Sequence, residues 1–171
     1  MKKLIFLGAL GLLLGAVSCS KKPSYFFVIH AESGSVNPDS ANGGTLVLNN
    51  AGKNVFFFSE RPSRNAGKGS TEGFIQNWSK GPNSFKADHP NAALVSNSST
   101  KEKPFTEIPV FLYAPEYNAA KDQLIFKIKT IDDSRKLEKM SLGETALFVD
   151  DEDISICGPH SSLAAPTCIP Y

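Results

Sequence analysis

The chain has little of what catalysis and nucleic-acid binding usually draw on. An excess of one charge is missing: 18 Lys and Arg stand against 17 Asp and Glu in 171 residues. That balance excludes the strongly basic face by which proteins hold nucleic acid. The three histidines, His30, His89 and His160, lie far apart, none at metal-ligand spacing. The Gly-x-Ser-x-Gly elbow and the His-Glu-x-x-His helix are both absent, which removes two common hydrolase arrangements. "GKGST" (67–71) has only the last part of a phosphate-binding loop. Pro62 stands where the first Gly belongs, and Gly69 follows Lys68 where Ser or Thr is needed, so the phosphate cradle is incomplete. "DDED" (150–153) lacks the spacing and Gly of a calcium loop and reads as a solvated strand end. No cofactor and no metal are expected. There is no internal repeat and no low-complexity tract. The long apolar run Leu4–Val17 has fourteen residues, short of the about 20 that cross a bilayer.

That run is preceded by Lys2 and Lys3 and followed by "GAVSCS", the layout of a signal peptide. Ala16 and Ser18 directly before Cys19 resemble the lipobox of bacterial lipoproteins, with Ala16 where Leu is usual. The resemblance implies cleavage after Ser18, acylation of Cys19 and attachment to a membrane through that lipid. Ser20 in place of Asp points to the outer membrane of a Gram-negative bacterium. The alternative is an ordinary secreted chain cut after Ser18 or nearby. Each buried methylene contributes about 0.8 kcal/mol, so several acyl chains on one Cys hold firmly. With Cys19 consumed, Cys157 and Cys168 remain as a pair in an oxidising compartment, where a disulfide is expected. It would close the ten intervening residues "GPHSSLAAPT", a loop worth about 2–3 kcal/mol. The alternative is two free thiols; a metal site would have only His160 nearby. Removing 18 of 171 residues leaves 153, with Lys2 and Lys3 gone and 16 basic residues against 17 acidic. The expected organisation is a signal peptide (1–18), a lipidated tether (19–24), one β-rich domain (25–156) and a tail closed by the disulfide (157–171).

Periodicity places strands at 24–31, 45–50, 54–60, 91–96, 106–117 and 122–131, with a final strand pair or one bent strand from Glu144. In the 122–131 strand, Leu124, Phe126, Ile128 and Thr130 alternate with Ile125, Lys127 and Lys129, a half-buried pattern. The first three strands read as an antiparallel meander. Residues 32–44, 96–104 and 132–143 are dense in turn-forming or charged residues and read as loops. "STEGFIQNWSKGP" reads as a helix at about 71–80. Ser70 or Thr71 can cap it, Glu72 suits its first turn, Phe74, Ile75 and Trp78 share a face, and Gly81–Pro82 stops it. About eight short strands with one short helix favour an antiparallel β-sandwich or open barrel.

Four blocks carry a wider resemblance: "FFFSERPSRNAGKGSTEGFIQNW", "DHPNAALV", "PVFLYAPEYNAAKDQLIFKIKTI" and "LGETALFVDD". Their order and spacing resemble a family of exported bacterial proteins with a strand, Phe-[Ser/Thr]-[Asp/Glu]-Arg-Pro-x-Arg, a helix ending in Trp, and Pro-Asn-Ala-x-Leu. The resemblance spans residues 25–151 and implies export, but no activity; the Cys157–Cys168 tail lies outside it.

Within the first block, Pro62 suits a turn and lets Arg61 stay extended. A turn has no need of two guanidinium groups. Arg61 and Arg64 either pair with Glu60, Glu72 or Asp88 and pin the corner, or bind an anion. The expected binding patch is Arg61, Arg64 and Trp78 at a strand–helix corner, facing an envelope protein or glycan. The competing reading is a hydrolase-type enzyme with a dispersed set such as His89 with Asp88 or Glu60. It requires those groups to converge in a concave pocket with perturbed titration. No nucleic-acid partner is expected.

Overall fold

The structure, a computed structural model, describes residues 24–100 and 103–151, and the side chains of those residues apart from 98–100, 103–104 and 151. The mainly β expectation holds. Ten strands and one helix follow one another as β1 (Tyr25–Ala31), β2 (Ser33–Pro38), β3 (Gly43–Asn49), β4 (Asn54–Ser59), β5 (Ala66–Ser70), α1 (Thr71–Asn77), β6 (Asn91–Thr100), β7 (Lys103–Asn118), β8 (Gln123–Thr130), β9 (Met140–Leu142) and β10 (Thr145–Asp151). All ten strands lie in one antiparallel sheet that is not closed, in the order β5-β4-β1-β10-β6-β7-β8-β3-β2-β9. Cys19, Cys157, Cys168 and His160 lie outside the described residues, as do the segments expected to be a signal peptide (1–18) and a disulfide-closed tail (157–171).

One ribbon organises the sheet. Ala31 faces Thr145 in the β1–β10 pair, and three residues on, Gly34 faces Leu142 in the β2–β9 pair. The register therefore runs straight through, and β1–β2 against β9–β10 is one ladder interrupted at Glu32 and Gly143–Glu144. Yet β10 sits mid-sheet beside β6, while β9 is an edge. The sheet must curl to satisfy both. At the bend Gly143 N donates to Asn97 O at 3.1 Å, and Asn97 N donates to Glu144 O at 2.9 Å. Beneath them the buried Thr145 hydroxyl bonds Ser96 Oγ and the Gly143 carbonyl.

Curling gives the sheet an inside. Phe27 and Ile29 of β1, Leu147 and Val149 of β10, Leu94 of β6, Leu112 of β7, Leu124 and Phe126 of β8 and Leu46 and Leu48 of β3 are buried, and each alternates with a more exposed neighbour. In β8, Leu124, Phe126, Ile128 and Thr130 point inward and Lys127 outward, as the alternation predicts. Helix α1 lies against this interior. Ser70 caps it, accepting from Gly73 N, and Glu72 occupies its first turn. A helix this short depends on packing. Phe74 and Trp78 supply that packing, meeting Phe27, Phe85 and Phe126 with ring centroids 4.8–6.0 Å apart.

Several expectations fail at the loops. Residues 24–60 are not a meander: β3 pairs with β2 and β8, whereas β4 pairs with β1 and β5. The 50–53 link is held by other partners. Asn50 and Gly52 have φ of 50° and 74°, Ala51 N and Gly52 N donate to Asp122, and the Thr71 hydroxyl donates to Gly52 O. The 32–44 "loop" contains β2, whose Gly34 and Val36 face inward while neighbours on both sides supply its hydrogen bonds. Of the 96–104 "loop", residues 96–100 belong to β6 and 103–104 to β7, and the two strands pair there. The 132–143 segment contains β9. Composition hid all three, because a strand paired on its neighbours needs few large apolar residues of its own.

Two measurements probe this frame. A Cβ on Gly143 would stand 2.9 Å from the Asn97 carbonyl, whereas one on Gly69 would meet nothing within 4 Å. Gly143→Ala should therefore lower the urea unfolding free energy by about 1–3 kcal/mol, and Gly69→Ala should leave it nearly unchanged. The half-buried Tyr117 phenol donates to Asp122 Oδ1 at 3.0 Å. Desolvation first, then that bond and the Asp122 charge, raise its pKa above the ordinary 10.0. A raised pKa contributes stability below the ordinary value that is lost as pH climbs through the raised one. Ultraviolet titration should show one late phenolate step that Tyr117→Phe abolishes.

Candidate functional site at the β4–β5 tip

The Ser-Glu-Arg-Pro segment does not join a strand to a helix. It is the tip of the β4–β5 hairpin, and the helix starts only after β5 returns. Ser59 closes the tip twice: its N donates to Asn65 O at 2.8 Å, and its hydroxyl accepts from Asn65 N at 2.8 Å. Arg64 N donates to Glu60 O, and the Asn65 amide reaches the Tyr25 hydroxyl. The Arg61–Pro62 peptide is cis, and Arg64 has φ of 51°. Glu60 N donates to Ser24 O at 3.2 Å, which fixes the tip beside the start of β1.

Arg61 and Arg64 are both exposed on this tip. Among the described residues neither makes an ion pair or side-chain hydrogen bond. Ion pairs do form elsewhere among the described residues, at His30–Glu144, Lys127–Asp39 and Lys129–Asp133. Pairing with Glu60, Glu72 or Asp88, which would have made the arginines a corner pin, does not occur. The backbone closes the tip without them.

Trp78 is not part of an exposed patch, contrary to expectation. It is 5% exposed and packs on Phe74, Phe85 and Phe126. A helix of two turns offers one apolar face, and the sheet interior takes it.

The residues of the enzyme reading stand as follows. His89 Nδ1 lies 3.0 Å from the Phe85 carbonyl, and its ring meets Tyr113 edge-on at 4.2 Å. No bond from His89 to Asp88 or Glu60 is formed among the described residues. His30 is exposed, and its Nε2 lies 3.0 Å from Glu144 Oε1. A cleft between β4, β5 and α1, lined by Phe57, Gly69 and Phe74, has a volume of about 30 Å³, room for a water or two. No cluster of three His, Cys, Asp or Glu able to hold a metal occurs among the described residues.

What sequence reasoning missed is the outer face of the same hairpin. The run Phe56–Phe58 splits by strand alternation. Phe57 turns inward against Tyr25 and Phe27, and Phe56 and Phe58 stand in the open. The period of two was readable in the sequence; which side was outside was not.

No protein-family model, curated protein or solved structure matches the chain.

The tip and the helix should separate cleanly under mutation. Trp78→Ala should cost about 3–5 kcal/mol of stability, as large-to-small changes in a core do. The double variant Arg61→Ala/Arg64→Ala should stay within about 0.5 kcal/mol of wild type, as unpartnered surface groups do. Thermal and urea unfolding read both.

Proposed function

We propose that this protein is an exported, lipid-anchored, non-catalytic binding module of the bacterial envelope, held on its membrane through Cys19 and binding through the β4–β5 tip. One observation carries the reading. Two exposed guanidinium groups without partners among the described residues stand on a tip that hydrogen bonds Ser24, five residues beyond Cys19. Such groups remain free to take an acidic group of an envelope protein or glycan, bidentately where it is a carboxylate. The lipobox-like "GAVSCS" supports the anchoring half of the reading, and the expected Cys157–Cys168 disulfide fits the same compartment.

The test is crosslinking of the anchored protein in cells followed by mass spectrometry, with wild type beside Arg61→Ala/Arg64→Ala. The expected result is a discrete partner that the double variant loses while its abundance and unfolding temperature persist. An unchanged partner set would remove the tip from the binding surface.

A further inference from the structure

An apolar ridge runs along the outer face of the sheet at the Ser24 end, separate from the tip's own groups. Phe56 and Phe58 are 53% and 45% exposed, and Phe148 is 41% exposed. The register sets them side by side. Phe58 faces Phe26, their rings stacked at 5.3 Å between centroids. Phe56 faces Val28, which on its other side faces Phe148. Lys68 stands opposite Phe56 on β5, and Arg61 and Arg64 lie just past Phe58; Glu60 and Asp150 are the acids at the same border. A contiguous open row of large aromatics marks an interaction surface more often than bare solvent-facing sheet.

We propose that this ridge rests on the lipid surface to which Cys19 anchors the domain, with the Phe rings in the headgroup–acyl boundary and the exposed Lys68 at the phosphates, which leaves Arg61 and Arg64 to the tip's own partner. The inference rests on the lipoprotein reading above. Tether length selects this occupant. Ser20–Ser24 is five residues, and five extended residues reach about 17 Å. Phe26 follows one residue after the start of β1, and Phe58 is its cross-strand neighbour. The ridge is thus held within one tether length of the bilayer, at an effective concentration at which even a weak contact is populated. Aromatic side chains flanked by Arg and Lys are the composition that settles at a lipid interface. A lipid anchor joined to a second, surface-binding patch is also the two-signal arrangement by which peripheral proteins hold one orientation.

The experiment uses the mature, full-length protein in vesicles of phosphatidylethanolamine and phosphatidylglycerol, with and without chain-brominated lipid. Intact mass first reports whether Cys19 is acylated. Trp78 is buried and the only tryptophan, so wild type supplies the background emission. Phe58→Trp and, independently, Phe56→Trp each place a reporter on the ridge; two sites guard against one variant misfolding. Phe105→Trp is the control, since Phe105 is 60% exposed and pairs with Asn97 towards the far end of the strands. The expected result is a bromolipid-dependent loss of the added emission at 56 and 58 and none at 105. Acylated protein with no quenching at 56 or 58 overturns the docking and leaves the anchor standing. Loss of quenching protection only when residues 152–171 are removed would assign the ridge to the chain's own tail and equally overturn it. A mass without acyl chains overturns the lipoprotein reading, and this inference with it.

Discussion

The ribbon in which β1–β2 runs against β9–β10 is the constraint on which the rest depends. It keeps one register while its two halves belong to different parts of the sheet. Only a curled sheet satisfies both, and only a curled sheet gives ten strands an interior without a second layer. The bend is therefore polar and tight: backbone to backbone at Gly143 and Asn97, hydroxyl to hydroxyl at Thr145 and Ser96. Because the first strand pairs with the last, closure waits for nearly the whole chain. That is a non-local pairing of the kind that slows folding.

Legibility in the sequence followed side-chain burial. Strands with strict alternation of large residues, such as Leu124–Thr130 in β8, were readable because each carries its own burial pattern. The helix was readable from Ser70, Glu72, Phe74 and Trp78 together. The strands that escaped, β2, β5 and β9, are held by neighbours' hydrogen bonds more than by their own apolar content. Pairing order escaped as well. The 50–53 link looks like a hairpin turn, but the Asp122 backbone and carboxylate and the Thr71 hydroxyl that hold it lie far along the chain.

The tip shows the same division. Its residues were identifiable as unusual, since two arginines exceed what a turn requires. Their neighbours were misassigned. Trp78, three residues from Ile75 on a helix, looked like part of the same surface, yet the sheet curls around it. Phe56 and Phe58 stand in an apolar run that does not mark its own sides, and alternation turns them out. In each case the missing information was which side of the sheet becomes the inside, and the distant ribbon decides that.

The placement of the two ends has a mechanical consequence. Tyr25 at the start of β1 lies opposite Asp151 at the end of β10, so these two strand ends share one rung of an antiparallel ladder. Load applied between Ser24 and Asp151 does not shear that ladder. It opens the pair from the Tyr25–Asp151 rung inward, one rung at a time, like a zip. A domain held by its N-terminus and pulled from its C-terminus therefore yields at low force by peeling β10 away from β1, and it re-forms from the bend outward when the load is released.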